Sequence, residues 1–278
     1  LGFQYVHCGN CATLYLSPRP PLSEFEKFYT LSPSSKYWAN TLFPKVAEAR
    51  RGQIFRPNVE RISSICQSKG IFYDLIIDVG AGHGLFLEEW TAQHNKSNPR
   101  AIEPSPDLVK VCRKKGFKTL ETIIETAQEW HGMANLVTCF EVIEHAHDPL
   151  KFVKSLADLT VEGGWVIVTG LGVDGFDIQV LWEKSSSILP PQHINFMSVS
   201  GFENLFQRAG FSEVEVLTPG RLDVDIVANA SNNGSDMNLG RFEKTLLRRS
   251  EKTLREFQKF LADNQLSSHT WVVAQKKK

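Results

Sequence analysis

The residues able to do chemistry cluster around one glycine-spaced turn. Asp78 closes the apolar run Leu75-Ile76-Ile77, and Val79-Gly80-Ala81-Gly82-His83-Gly84 follows. Glycines at alternate positions let the backbone turn sharply and let a ligand approach with no Cβ in the way. An apolar run before the turn reads as a buried strand, and the amphipathic stretch from Leu85 to Ala92 reads as a helix. The free N–H groups at such a helix start suit an anionic ligand end. A nucleotide-type cofactor is the natural ligand. The dinucleotide pattern G-x-G-x-x-G does not fit, because its last glycine would fall on Leu85.

Three further segments follow in order. Arg100-Ala-Ile-Glu103-Pro104-Ser105 reads as a second strand ending in an acid, 19 residues after Gly84. A β-α-β unit places a carboxylate there to accept from two ribose hydroxyls. Asn135 to Phe140 is an apolar strand leading into Glu141-Val-Ile-Glu144-His145-Ala-His-Asp-Pro149. Gly163-Gly164-Trp165-Val-Ile-Val-Thr169 starts another strand.

This order and spacing, across roughly residues 74 to 217, resembles the class I S-adenosylmethionine-dependent methyltransferases, with Asp78-x-Gly80-x-Gly82-x-Gly84 as motif I. The resemblance implies a doubly wound α/β fold with a seven-stranded Rossmann-like sheet whose last strand is antiparallel. It implies S-adenosyl-L-methionine as cofactor and S-adenosyl-L-homocysteine as product. The turn Val79, Gly80, Ala81, Gly82 and Gly84 would cradle the methionine part, with Asp78 fixing its amine. Glu103, with Pro104 beside it, would hold the ribose, and Phe140 and Glu141 would lie beneath the methionine and sulfonium. Residues Ile123 to Glu125 would flank the adenine, although the Asp common there in the family is missing.

A hydroxyl or carbon acid needs a general base, and imidazole titrates near neutrality. His193, in Pro190-Pro191-Gln192-His193-Ile194-Asn195-Phe196, and His145 are the two expected catalytic histidines. That first stretch resembles the family's Pro-x-His-Ile/Leu-x-Phe segment. His83 reads as a solvent-facing spacer.

Other elements must position these groups. Residues 1–20 carry Cys8-Gly-Asn-Cys11 and Pro18-Arg19-Pro20, which resemble half of the zinc knuckle found in bacterial methyltransferases that act on sugars and polysaccharides. Two cysteines are half of a structural zinc site, so Cys8 and Cys11 are expected to hold no metal on their own. Residues 21–70 read as helical, with Leu22, Phe25, Phe28 and Tyr29 at helical spacing, and the resemblance implies that they form a lid over the cofactor with Tyr29, Tyr37 and Trp38 available to line it. Residues 71–218 are the cofactor-binding core, and Gly170 to Gln192 within it reads as a long substrate loop. Ser198 should cap a helix ended by Gly210. Residues 219–268 read as a helical insertion. There Phe242, Leu246, Leu254, Phe257 and Leu261 share one helical face, and Asn229 to Ser235 form a flexible loop. Residues 269–278 are the last strand and a basic tail.

Bulk properties narrow the class. The chain has 278 residues, 42% hydrophobic, with 31 basic and 31 acidic side chains and zero formal charge. Such balance disfavours a nucleic-acid partner. No apolar run reaches the ~18 residues needed to span a bilayer, no signal peptide is visible, and five scattered cysteines suggest no disulfide framework. A cytoplasmic enzyme methylating a small molecule is expected, a nucleotide-linked sugar or polysaccharide precursor first and O-methylation ahead of C-methylation. A quinone or lipid-intermediate methyltransferase is the second reading. The third is a non-catalytic cofactor-binding regulatory module.

Overall fold

The computed structural model describes residues 2–31, 37, 41, 43–232 and 239–278. Its centre is a seven-stranded sheet of β3 (Leu75–Val79), β4 (Asn98–Ile102), β5 (Lys118–Leu120), β6 (Ala134–Phe140), β7 (Thr160–Leu171), β9 (Phe211–Leu217) and β10 (His269–Lys276). The spatial order is β5-β4-β3-β6-β7-β10-β9, and β10 runs antiparallel to both its neighbours. This is the expected sheet.

Alternation along β3 explains why it is buried on both faces. Ile77 and Val79 enter one buried cluster with Trp130, Phe152 and Phe206, while Ile76 enters another with Val59, Phe86, Trp90 and Trp271. Helices on both faces bury the inner strands, so β3 and β6 are mostly apolar. Among these helices are α3 (Arg56–Lys69), α4 (Leu85–Gln93), α5 (Pro106–Lys114), α6 (Pro149–Leu159) and α8 (Val199–Arg208). Ser198 caps α8 through its Oγ, which accepts from Gly201 N at 2.9 Å, and Gly210 follows with φ +101°.

The N-terminal segment is integrated rather than appended. β1 (Tyr5–His7) pairs with β2 (Leu14–Leu16), which pairs with β8 (Asn195–Phe196) to form a second, three-stranded sheet. Leu14, Leu16, Ile194 and Phe196 are its buried side chains. Helices α1 (Leu22–Leu31) and α2 (Phe43–Arg50) then lead through a short π-helical turn into α3. Tyr37 is 54% exposed. Trp38 and the side chains of Phe28 and Tyr29 lie outside the described residues.

Four sequence expectations change. The loop expected after β7 contains α7 (Phe176–Leu181), which buries Ile178 and Leu181. The tract starting at Asn229 remains helical to Asn232 as the end of α9 (Asp223–Asn232), and residues 233–238 lie outside the described set. The single apolar helix expected after Gly240 is two, α10 (Arg241–Leu246) and α11 (Glu251–Asp263), because Ser250 Oγ accepts from Thr253 N and starts a new helix. That break leaves Phe242 61% exposed, while Leu246 and Leu261 are buried. His83, expected to face solvent, is half-buried, and its carbonyl accepts from Lys115 Nζ at 2.8 Å.

Candidate active site

Parallel strands β3, β4, β6 and β7 end along one edge, and their loops assemble there. The turn after β3 holds Gly80, Gly82 and Gly84 at φ +71°, +55° and +68°. Side chains avoid that left-handed region, so the turn needs these residues. The three differ in surroundings. A Cβ on Gly80 would meet Val142 Cγ2 at 2.6 Å, one on Gly84 would touch Cys112 Sγ at 3.3 Å, and one on Gly82 would enter open space. Gly82 therefore faces outward into room for a ligand. Gly80 N donates to Ile102 O at 2.9 Å, which ties the turn to the end of β4.

Glu103 lies beside that turn and is 5% exposed. Its Oε2 accepts from Gly82 N and its Oε1 from Ser105 N, each at 2.9 Å. Each carboxylate oxygen can accept a further donor. Burial raises its pKa, and the two amides lower it. Pro104 next to it is exposed. Asp78 is 2% exposed, and its Oδ1 accepts from Thr138 Oγ1 at 2.8 Å. Burial pushes its pKa up to about 8, with the Thr138 bond opposing and Glu103 adding to the rise. Val79 and Ala81 are buried supports of the turn. Ile123, in the segment after β5, is 46% exposed. These features fit S-adenosylmethionine: an open glycine face, a paired buried acid with spare acceptor capacity, and a buried carboxyl beside them.

After β6, Phe140 packs on Phe86 with ring centroids 4.7 Å apart. Glu141 adopts φ +54°, a strained conformation for a residue with a side chain. Thr169 Oγ1 donates to Glu141 Oε1 at 2.6 Å, and His269 Nδ1 is 3.4 Å from the same oxygen. Glu141 lines a cavity of about 360 Å³, together with Arg50, Arg61, Arg221, Leu171 and Trp271.

The two expected histidines come together. Their ring centroids are 4.8 Å apart. His193 Nδ1 faces Ser187 O at 2.6 Å, and His145 Nδ1 faces Gln192 O at 2.9 Å. A carbonyl only accepts, so each Nδ1 carries a proton, and a ring in its neutral form keeps its lone pair on Nε2. Burial and the nearby His193 push the His145 pKa down to about 4. Glu144, 2% exposed, sits against them with Oε2 lacking a hydrogen-bond partner. Burial first, then Glu141, hold its carboxyl well above the usual range. Ligand atoms of Glu144, His145 and His193 lie within 4.8 Å of one another. No third metal-ligating residue joins Cys8 and Cys11 among the described residues, and Cys11 Sγ donates to Thr13 Oγ1.

Several positioning residues were not anticipated from sequence. Asn195 Nδ2 donates to Ala146 O at 2.8 Å and to Ile143 O at 3.3 Å, while Ile194 N donates to Glu144 O at 2.8 Å. These bonds sew the His193 loop onto the turn after β6. Tyr5 Oη donates to His193 O at 2.6 Å, and Arg19 donates to Asn195 Oδ1 and to His147 O. The N-terminal hairpin thus braces the histidine pair. Cys8-Gly-Asn-Cys11 and Pro18-Arg19-Pro20 mark this hairpin in the sequence, and neither points to the histidine loop.

Residues 46–216 match a family model described as a methyltransferase domain. A ubiquinone biosynthesis O-methyltransferase of Xanthomonas oryzae pv. oryzae is 26% identical over 156 residues, covering 54% of this chain and 61% of that protein. The same enzyme of Xanthomonas campestris pv. campestris is 27% identical over the same shares. The match thus spans less than two thirds of the relatives' own length. Among solved structures, a plantazolicin methyltransferase in complex with a plantazolicin analogue and SAH superposes with a TM-score of 0.59 at 12% identity, covering 92% of this chain and 95% of that one. A methyltransferase from Thermotoga maritima gives 0.51 at 16% identity, over 84% and 98%. At these identities the structural likeness concerns the fold.

Proposed function

The chain belongs to the S-adenosylmethionine-dependent methyltransferase family, and from that premise we propose that it transfers a methyl group to the hydroxyl of a small-molecule acceptor. The observation that carries this reading is the meeting of Glu103 with the outward-facing Gly82 at the carboxyl edge of the sheet. In this reading Glu103 takes the ribose hydroxyls, and Asp78, once ionised, takes the amine of the methionine part. Val79, Gly80, Ala81 and Gly84 hold the turn in shape, Pro104 flanks the ribose, and Phe140 and Glu141 support the methionine end. The bound cofactor supplies an electrophilic methyl on a sulfonium, so the chain's own task is to align the acceptor and exclude water.

The acceptor enters the cavity beside Glu141. His193 serves as general base through Nε2, with its orientation held by Ser187 O and Tyr5. His145, held neutral by burial, packs against it and fixes the ring's position.

For the acceptor, a nucleotide-linked sugar or polysaccharide precursor is the first reading and O-methylation the favoured outcome. A quinone-type acceptor is the second, supported by the 26% identity to ubiquinone biosynthesis O-methyltransferases. The test is methyl transfer from labelled S-adenosylmethionine to a panel of nucleotide sugars and of catechol-type quinone precursors. Product with the first group alone supports the first reading, and product with the second group alone replaces it. Cofactor binding with no transfer to either would return the chain to the regulatory-module reading.

A further inference from the structure

Arg61 and Arg221 stand in a wall shared by two cavities: the one of about 360 Å³ beside Glu141 and a larger cleft of about 1180 Å³ against α11. Arg61 comes from α3, and Arg221 comes from the turn between β9 and α9, so two distant segments converge here. The Arg61 guanidinium lies 5.6 Å from the centroid of the Trp271 ring. Neither guanidinium has a carboxylate or carbonyl partner among the described residues. Burial, and secondarily the nearness of Arg221, lower the pKa of Arg61.

Of the acids around the pair, Glu141 and Asp223 are held by other partners and Asp177 is buried. Glu141 takes the Thr169 hydroxyl and faces His269. Asp223 accepts from Ser267, Ser268 and Gln258. Burial holds Asp177 up at about 7. In the larger cleft Glu251 pairs with Arg255 and Asp263 with Lys259, while the exposed Asp225 forms no ion pair among the described residues. Arg61 is half-buried and Arg221 exposed, and two neighbouring cations with no bonded counter-charge repel each other until an anion arrives. Guanidinium forks match the spread oxygens of a phosphoryl group.

We propose that Arg61 and Arg221 bind the phosphoryl linkage of a two-part acceptor. The methyl-accepting part lies in the smaller cavity beside Glu141, and the part beyond the phosphate fills the larger cleft. A nucleoside diphosphate ester has this shape and charge. The inference rests on the methyl-transfer reading for the direction in which the acceptor points.

The test is calorimetric titration of the S-adenosylhomocysteine-bound protein with a panel of common nucleoside diphosphates and with inorganic pyrophosphate, at low and high salt. At least one nucleoside diphosphate is expected to bind one-to-one, more tightly than pyrophosphate and more weakly at high salt. Arg221→Gln and Arg61→Gln should each weaken it about tenfold or more, with Arg61→Lys intermediate and S-adenosylhomocysteine affinity unchanged in all three. No binding by any diphosphate, or full affinity in Arg221→Gln, overturns the anion site. Equal affinity for pyrophosphate and every nucleoside diphosphate overturns the two-part acceptor. Failure to bind S-adenosylhomocysteine strikes the methyl-transfer reading instead, and diphosphate binding by the protein alone then judges the arginine pair separately.

Discussion

The carboxylate of Glu103 and the amide of Gly82, 21 residues apart in the chain, meet at 2.9 Å. That bond joins the end of β4 to the turn after β3, so the acid expected to read the ribose also holds the glycine face in place. Glu103→Ala should therefore lower S-adenosylhomocysteine affinity by about 10–100-fold, since unpaired buried donors cost about 1–3 kcal/mol. Calorimetry that returns wild-type affinity for this variant would remove Glu103 from the cofactor site.

The glycines of the turn should separate folding from binding. Gly80→Ala combines a left-handed backbone with a collision at Val142, whereas Gly82→Ala incurs the backbone strain alone. Strain of this kind costs about 1–3 kcal/mol. Thermal unfolding should rank Gly80→Ala below Gly82→Ala. Gly82→Val should remain folded and fail to bind S-adenosylhomocysteine. A Gly82→Val protein that binds normally would place the ligand elsewhere.

His193→Asn should leave cofactor affinity nearly unchanged and slow methyl transfer by about 10²–10⁴-fold, the range for a general base. Equal losses in binding and turnover would make His193 a structural residue.

Asp78 sets a pH dependence of binding. Burial pushes its carboxyl up to about 8, so the free protein holds a proton there at neutrality. Pairing with a cofactor amine favours the ionised form, so binding should release a proton and tighten as pH rises from about 6 towards 8. Its folded value lies above the unfolded value of about 3.9. The stability carried by the protonated form is thus fully present below that lower value and lost as pH rises through 8. Asp78→Asn should flatten both profiles, and an unchanged pH slope in either would contradict the assignment.

His145 acts with the opposite sign. Its folded value of about 4 lies below the unfolded value of about 6.5. Stability from the neutral ring is present above about 6.5 and lost as pH falls through 4. Melting temperatures across that window should fall less steeply for His145→Gln than for wild type.

Local signals carried the core of this reading. Strand, glycine turn and helix follow one another within a dozen residues, so Asp78 to Leu85 declare their conformation through composition alone. Glu103, Glu141 and the strand order follow from spacing along successive β-α units, whose handedness leaves few arrangements. The capping of α8 by Ser198 was equally legible, because a cap and its amide are three residues apart.

What only the tertiary structure decided involves partners distant in the chain. Nothing near Tyr5 or Arg19 indicates that they brace a loop near residue 193, since a hairpin edge has no sequence mark for the strand it will meet. The split between α10 and α11 hid behind a continuous apolar period, and one serine decided it. The expected cofactor contacts lay in the sequence because each belongs to a strand end. The cavity where Arg61, Arg221 and Trp271 converge did not, because it is a space left between α3, the β9–α9 turn and β10 after packing. Spacing along a chain encodes elements and their order, while a shared wall exists only once those elements are folded against each other.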